Sequence, residues 1–135
     1  MKVSIVYATT TGNTEQLANA AAEGAKASGR EVSLTTADIA DSGEVLNADL
    51  ILLGSPAMGA EQLEDSMEDF FSQIEGSLSG KKVGLFGSYD WGDGQWLSDW
   101  SDRVTGAGAT LVGAVKAQLS PDDTALEEVK KLASS

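Results

Sequence analysis

The stretch "VSIVYATTTGNT" (residues 3–14) joins a β-rich apolar run to a polar loop that contains one glycine. Residues 3–8 are nearly continuous in apolar side chains, which is typical of a strand covered on both faces. A helical pattern follows from Thr14 to Ser28, and Gly29 is suited to a left-handed helix end. A strand, a short polar loop and an amphipathic helix together predict the first unit of a parallel α/β sheet.

The same alternation of strand and helix patterns continues along the chain. Four further strands are predicted, at residues 31–36, 49–54, 82–88 and 110–115. A short helix or a loop separates the second and third strands, and a helix with one apolar face follows each of the next two. These two apolar faces consist of Leu63, Met67, Phe70, Phe71 and Ile74, and of Leu97, Trp100, Val104 and Ala107.

The last helix is predicted to start within "SPDD" (120–123), with Ser120 as the N-cap and Pro121 in the first helical position. The complete order indicates a three-layer, doubly wound α/β fold, in which helices cover both faces of a five-stranded parallel sheet. We expect a single domain over residues 1–135, because no linker, repeat or low-complexity segment interrupts the pattern.

The formal net charge is −12, and the charged residues are unevenly distributed. From Glu31 to Gly80 there are eleven acidic residues and no Lys or Arg. Such a surface repels nucleic acid and anionic membranes, so neither is expected as a partner. It attracts basic protein surfaces, although solubility alone is the simpler explanation of an acidic composition.

The sequence contains neither cysteine nor histidine. Disulfides, thiolate metal ligands and a cysteine nucleophile are therefore excluded, and the commonest general base is missing. We expect no catalytic residues and no metal site. Residue Met1 leads directly into a strand pattern without a secretion signal, and no apolar run is long enough to span a membrane, which predicts a cytoplasmic protein.

Three predicted loops lie where an open α/β sheet binds its ligands, beyond the carboxyl ends of the strands where the strand order reverses. They cover residues 9–13, 55–62 and 88–95. The first reads "TTTGNT" (9–14), and backbone N–H groups at such a helix start bind phosphate. The loop lacks the lysine of a P-loop, and the alternative interpretation is a plain helix start with Asn13 as its N-cap.

The second loop, "SPAMGAEQLED" (55–65), carries side chains suited to a flat heterocycle. Residue Met58 offers a soft apolar side chain on a loop that should be exposed, and Gly59 permits a peptide to flip between conformations. The carboxylate of Glu61 is a nearby hydrogen-bond acceptor. The alternative is an ordinary turn before a charged helix start.

The third loop, "SYDWGDGQW" (88–96), is rich in aromatic residues. The side chains of Tyr89 and Trp91 can stack on a planar ring, whereas the helical spacing of Trp96 and Trp100 favours the protein core. The three loops together offer a phosphate cradle, a flexible turn with an acceptor, and an aromatic plate. They converge on one ligand only if the strand order is 2-1-3-4-5.

Three motifs carry a resemblance to a known family: "TTGNTE" (10–15), "GSPAMGAEQLED" (54–65) and "GKKVGLFGSYDWGDGQW" (80–96). In order and spacing they resemble the flavodoxins, and the resemblance runs over the whole chain. It is greatest with the short-chain flavodoxins of anaerobic bacteria, because the insertion that splits the fifth strand of long-chain members is missing. The resemblance implies the sheet order 2-1-3-4-5, with FMN at the switch point between the first and third strands.

The resemblance also implies which residues bind FMN. The phosphate is expected on Thr9, Thr10, Thr11, Gly12, Asn13 and Thr14. The ribityl chain is expected along Ser55, Pro56 and Ala57. The isoalloxazine ring would lie between Met58 on its inner face and Trp91 on its outer face.

The edges of the ring are implied to contact loop backbones and one carboxylate. The Gly59–Ala60 peptide is expected to flip on one-electron reduction, so that its carbonyl accepts a hydrogen bond from the flavin N5. The carboxylate of Glu61 would accept from N3. Backbone groups of Ser88, Tyr89 and Asp90 would contact the pyrimidine edge. Further candidates for cofactor binding are Gly92, Trp96 and Gln118.

The sequence departs from the family pattern at three of these positions. Some relatives have a phosphate-binding serine where this chain has Pro56, so that contact is not expected here. Residue Ala60 replaces the Asp or Gly often found after the flipping glycine, and its Cβ changes the conformations open to the turn. Residue Asp90 stands directly before the stacking tryptophan, where close relatives have glycine.

We therefore expect a low-potential one-electron carrier with non-covalent FMN, which shuttles between quinone, neutral semiquinone and hydroquinone and is not an enzyme. The expected partners are basic surfaces of ferredoxin-type reductases and oxidoreductases, and the protein is expected to be a monomer. The alternative is an FMN-dependent quinone or nitro reductase on the same fold. That alternative is less favoured, because Met58 and Trp91 would cover both ring faces and no base is placed to hold a nicotinamide cofactor.

Overall fold

A five-stranded parallel sheet lies at the centre of the computed structural model, which describes residues 1–8, 12–58, 62–89, 94–118 and 120–135. In chain order its elements are β1 (Lys2–Tyr7), α1 (Asn13–Ala27), β2 (Glu31–Thr36), α2 (Ser42–Leu46), β3 (Leu50–Gly54), β4 (Ala57–Met58), β5 (Gln62–Leu63), α3 (Asp65–Ile74), β6 (Lys82–Tyr89), α4 (Gln95–Gly106), β7 (Thr110–Gln118) and α5 (Asp123–Ala133). A 3-10 turn, Glu75–Ser77, follows α3.

The strands of the main sheet are ordered β2-β1-β3-β6-β7, and every neighbouring pair is parallel. Counted over the long strands alone, this is the order 2-1-3-4-5, so the predicted fold is confirmed. The chain moves outward from β1 to β2 and then returns past β1 to β3. The strand order therefore reverses between β1 and β3, which is where open α/β sheets bind their ligands.

Two apolar layers pack on opposite faces of the sheet, because successive side chains of a strand point to opposite sides. In β1, Val6 belongs to one layer, and Val3 and Ile5 to the other. The first layer lies against α2, α3 and α4 and is rich in aromatic residues. The second lies against α1 and α5 and is rich in alanine. The aromatic members of the first layer include Phe70, Phe71, Trp96 and Trp100.

The alanine-rich layer lets α1 and α5 approach closely. A Cβ atom placed on Gly24 of α1 would lie 2.6 Å from the backbone oxygen of Lys130 in α5. That separation is shorter than any normal contact, so glycine is required there by the neighbouring backbone. The predicted left-handed helix end at Gly29 is confirmed, since its φ is 77°.

The structure corrects the predicted start of the last helix. The N-cap of α5 is Asp122 rather than Ser120, because the Asp122 carboxylate accepts a hydrogen bond from the Ala125 N–H at 2.8 Å. The hydroxyl of Ser120 instead donates to Asn13 Oδ1 at 3.5 Å. Both residue types are good N-caps, and the extended backbone at Asp122 decides between them.

Two further boundaries differ from the sequence prediction. The fifth long strand does not end at residue 115 but continues to Gln118, because it stays paired with β6 up to the pair Tyr89–Gln118. The antiparallel pair of β4 and β5 begins within the predicted loop 55–62 and is too short to give a periodic pattern in the sequence. Leu63, predicted on the apolar face of the next helix, belongs to β5 instead, because α3 begins only at Asp65. The separating segment between the second and third long strands is a short helix, α2.

No helix within the described ranges is both long enough and apolar enough to cross a membrane.

Replacing Gly24 with Ala is expected to lower the free energy of unfolding by about 1–3 kcal/mol, because the new methyl group must displace a backbone atom. Gly106→Ala is the matched control, since beyond its own helix backbone and chain neighbours its added Cβ meets no described atom within 4 Å. The control should be neutral or stabilise by up to about 1 kcal/mol. Urea unfolding followed by circular dichroism measures both, and equal stabilities would contradict the close helix contact.

Candidate cofactor site

The carboxyl ends of β1, β3 and β6 meet at one edge of the sheet. Tyr7, the last residue of β1, pairs with Gly54, and Gly54 pairs with Phe86 of β6. Two backbone hydrogen bonds continue this pairing past the strand ends, from Ala8 N to Gly54 O at 2.9 Å and from Ser55 N to Phe86 O at 3.1 Å. The chain segments that enter the first two loops are therefore fixed relative to each other.

The first loop ends in the N-terminus of α1. Gly12 is the N-cap, with a left-handed φ of 90°, and Asn13 is the first helical residue rather than the cap. Among the described residues, no side chain caps this helix end. By contrast, carboxylates cap α2, α3 and α5. Residues Thr9, Thr10 and Thr11, which complete the predicted phosphate loop, lie outside the described residues.

A buried hydrogen bond joins the first loop to the third. The hydroxyl groups of Thr14 and Ser88 are 2.9 Å apart, and the two residues are only 0% and 4% exposed. Each hydroxyl is thus satisfied in an interior position where an unpaired polar group costs free energy. This contact ties the first turn of α1 to the end of β6.

Tyr7 anchors the first turn of α1 from the other side. Its hydroxyl donates a hydrogen bond to Glu15 Oε2 at 3.1 Å. Burial of the ring raises the pKa of the Tyr7 hydroxyl, and the hydrogen bond to Glu15 and its negative charge raise it further. The hydroxyl therefore remains a protonated donor to the Glu15 carboxylate at neutral pH.

The second loop is closed by the short β4–β5 ladder, in which Met58 pairs with Gln62. The Met58 side chain is 40% exposed, although it is large and apolar. Ser55 is fully buried, and its hydroxyl accepts from Glu64 N and donates to Pro56 O. The Ser55 side chain thus supports the loop from within. Residues Gly59, Ala60 and Glu61 lie outside the described residues.

The third loop is entered from Tyr89, whose ring packs on Trp96 with centroids 5.4 Å apart and planes tilted by 49°. Trp96 is only 1% exposed, which confirms the core position predicted from helical spacing. A Cβ on Gly87 would lie 2.9 Å from Trp96 Cζ2, so the indole sits directly on β6. Gln118 is exposed and lies opposite Tyr89 in β7. Residues Asp90, Trp91, Gly92 and Asp93 lie outside the described residues.

A groove of about 360 Å³ lies between α3 and α4, and its lining includes Leu63 and Trp96. Its lining also includes Arg103, whose guanidinium contacts Glu68 at 2.7 Å and Glu75 at 3.1 Å and lies 4.8 Å from the Phe71 ring centroid. The hydrogen bonds from Arg103 hold the pKa of Glu68 below its ordinary value. This ion-pair network ties α3 to α4 and leaves the groove edge acidic.

No group of three or more His, Cys, Asp or Glu residues within the described ranges is arranged to hold a metal ion.

Comparison with known proteins places the chain in a family. The family model described as flavodoxin matches residues 5–131. The chain is 46% identical to the flavodoxin of Megasphaera elsdenii, over 90% of this chain and 89% of that protein. It is 42% identical to the flavodoxin of Clostridium beijerinckii, over 97% and 99% of the two chains.

The chain belongs to the flavodoxin family. A solved structure agrees with this. The solution structure of two-electron reduced Megasphaera elsdenii flavodoxin superposes with a TM-score of 0.90, at 44% identity and 97% coverage of both chains. Flavodoxins are FMN-binding electron-transfer proteins, so the protein is an electron carrier and not an enzyme. The alternative of a quinone or nitro reductase is not favoured.

The described residues fit FMN at this edge. The N-terminus of α1 directs backbone N–H groups and the positive end of a helix dipole toward the strand ends, which suits a phosphate. A half-exposed methionine stands on the second loop, and an aromatic ring stands at the end of β6. Glycine rather than a carboxylate precedes both helices that start beside the site, α1 and α4. Among the described residues, therefore, no carboxylate caps either helix start.

The sequence reasoning missed two residues that shape the site. Tyr7 ends β1 immediately before the predicted phosphate loop and is hydrogen-bonded to Glu15. The sequence signal for this contact was an acidic residue in the first turn of the next helix, eight residues after the tyrosine. Lys116 lies in β7 with its side chain against Gly94, the N-cap of α4. The sequence signal for Lys116 was a basic residue between two apolar residues, Val115 and Ala117, near the end of a strand.

Thr14→Val and Ser88→Ala are each expected to lower the unfolding free energy of the FMN-free protein by about 1–3 kcal/mol, because each leaves a buried hydroxyl without its partner. The double variant should lose less than the sum, with a coupling of about 1 kcal/mol. Urea unfolding of the four proteins measures this cycle. Strictly additive losses would contradict a direct hydrogen bond between the two side chains.

Proposed function

We propose that residues 1–135 form one FMN-binding domain whose cofactor lies across the carboxyl edge of β1, β3 and β6. The observation that carries the proposal is the convergence of the α1 N-terminus, the exposed Met58 side chain and Tyr89 on that edge. The phosphate would be held by residues 9–14 and the ribityl chain by residues 55–57. Because the Ser55 hydroxyl is already engaged by Glu64 N, backbone groups are the better candidates for the ribityl contacts.

The ring would lie between Met58 and Trp91, with Gly92 in the same loop. Residues Ser88, Tyr89 and Asp90 would present backbone groups to its pyrimidine edge. Bound FMN supplies the one-electron chemistry, and the protein sets the potentials at which it occurs. The carbonyl of the Gly59–Ala60 peptide and the Glu61 carboxylate would accept hydrogen bonds at the ring edge. The burial of Trp96 under Tyr89 favours a supporting role for it, and Gln118 is available opposite Tyr89.

The charge distribution supports a low potential. Negative charge near a cofactor opposes any reduction that adds further negative charge to it. Acidic residues flank both loops that would hold the ring, and α3 and α4 present exposed carboxylates beside them. The exposed carboxylates are those of Asp65, Asp69, Asp99 and Asp102.

Flavodoxins transfer electrons to redox partners. We propose that the partners of this protein are ferredoxin-type reductases and oxidoreductases that present basic surfaces. The exposed carboxylates of α3 and α4 support this, since opposite charges speed encounter and leave the complex sensitive to salt. We also propose that the protein is a monomer and acts in the cytoplasm.

The cofactor proposal predicts that FMN binds at least about tenfold more tightly than riboflavin, because riboflavin lacks the phosphate that the α1 N-terminus would hold. Fluorescence titration of the FMN-free protein with each compound measures the ratio. Dithionite titration of the FMN complex should then show the absorbance band of the one-electron-reduced state. Equal affinities would contradict the phosphate site, and reduction in a single two-electron step would contradict the one-electron function.

Asp90→Gly is expected to raise the more negative of the two midpoint potentials, because it removes a negative charge beside the ring. Asp90→Asn should act in the same direction, since it removes the charge while keeping a side chain. Glu31→Gln is the matched control, as Glu31 is an exposed acid at the opposite edge of the sheet. Spectroscopic redox titration measures all three. A shift with Gly but not with Asn would mean that backbone freedom, and not charge, acts at this position.

A further inference from the structure

The nine basic residues of the chain are distributed unequally between the two edges of the sheet. Seven lie at the amino edge, at strand starts or in the last turns of helices that run back across the sheet: Lys2, Lys26, Arg30, Lys81, Lys82, Lys130 and Lys131. The Arg103 guanidinium is paired with Glu68, in the first turn of α3, and with Glu75. Lys116 lies near the carboxyl edge, in β7, where it pairs with Gly87 of β6.

The Lys116 side chain packs against the start of α4. A Cβ placed on Gly94 would lie 2.9 Å from Lys116 Cδ and 2.8 Å from its Nζ. Gly94 is buried although Lys116 is exposed, so the aliphatic stem covers the glycine and the ammonium stands at the helix N-terminus. A helix N-terminus disfavours a cation. The dipole of α4 therefore gives no reason for a lysine at this position.

The position of Lys116 in the sheet relates it to the end of β6. Asp90 and Asp93 precede Gly94 within four residues in the sequence. Two residues further along β7, Gln118 lies opposite Tyr89, the last residue of β6. At about 3.3 Å per residue, Lys116 is within about 7 Å of that strand end along β7. The ammonium thus lies beside the segment that enters the ring-binding loop.

We propose that the positive charge of the Lys116 ammonium raises the second, more negative midpoint potential of the bound FMN. The inference rests on the proposed cofactor site and deepens it. In the second reduction an electron from an external reductant adds negative charge to the ring, and the Lys116 ammonium stabilises that charge without accepting an electron or a proton itself. The first reduction is accompanied by protonation and leaves the ring neutral, so it depends less on the ammonium.

Lys116→Met separates charge from packing, because methionine keeps an unbranched apolar stem over Gly94 and removes the ammonium. Its second midpoint potential should become more negative, and the first should move less. Lys116→Arg should restore the value of the unmodified protein. The matched control is Lys82→Met, because Lys82 begins β6 and lies roughly 23 Å from the Tyr89 end of that strand. This control should leave both potentials unchanged.

Dithionite titration of the FMN complexes at low and high salt provides the measurement. The shift caused by Lys116→Met should shrink at high salt, since screening weakens a charge interaction. If the two potentials of Lys116→Met match those of the unmodified protein, or if its FMN affinity falls equally in all reduction states, the proposal is wrong and Lys116 only packs. If Lys116→Met does not fold, Lys116→Gln is measured in its place and judged by the same criterion. Failure of the unmodified protein to bind FMN would instead refute the cofactor site.

Discussion

The parallel pairing of β1, β3 and β6 is the constraint on which the rest of the structure depends. Register between the three strands brings Tyr7, Gly54 and Phe86 into one row, and backbone hydrogen bonds continue the row into the loops. Parallel strands must be connected by crossovers, so a helix follows each of them and starts at the same edge. The geometry of the sheet therefore brings the loop entries after β1, β3 and β6 to one edge. The sequences of the loops determine what binds there.

The two faces of the sheet are packed by different kinds of side chain. On one face, alanine and glycine let α1 and α5 approach until the backbone at Gly24 lies directly against the backbone at Lys130. On the other face, aromatic side chains fill a thicker layer, and Arg103 bridges α3 and α4 above it. The tightly packed face lies under the α1 N-terminus, where we propose that the phosphate binds. The aromatic face lies under Tyr89 and Trp96, on the proposed ring side.

Much of this arrangement could be predicted from the sequence, because long periodic segments report burial directly. The five long strands, the helices and the buried position of Trp96 follow from that periodicity, and the family resemblance supplied the strand order. The end of β7 could not be predicted, since it depends on pairing with Tyr89 of β6. The four-residue ladder of β4 and β5 is too short to be periodic. Thr14 and Ser88 were each expected near the cofactor, but their mutual hydrogen bond exists only in the folded chain.

That hydrogen bond joins residues 74 positions apart in the sequence and has a consequence for cofactor binding. Thr14 follows the first strand and Ser88 belongs to the fourth long strand, so the bond requires β1, β3 and β6 to be assembled side by side. A partly folded chain lacks the complete edge and offers no high-affinity place for the cofactor. Binding then draws only on the fully assembled population and stabilises it by mass action. Flavin that stays with the protein through purification would therefore indicate that β1, β3 and β6 are assembled.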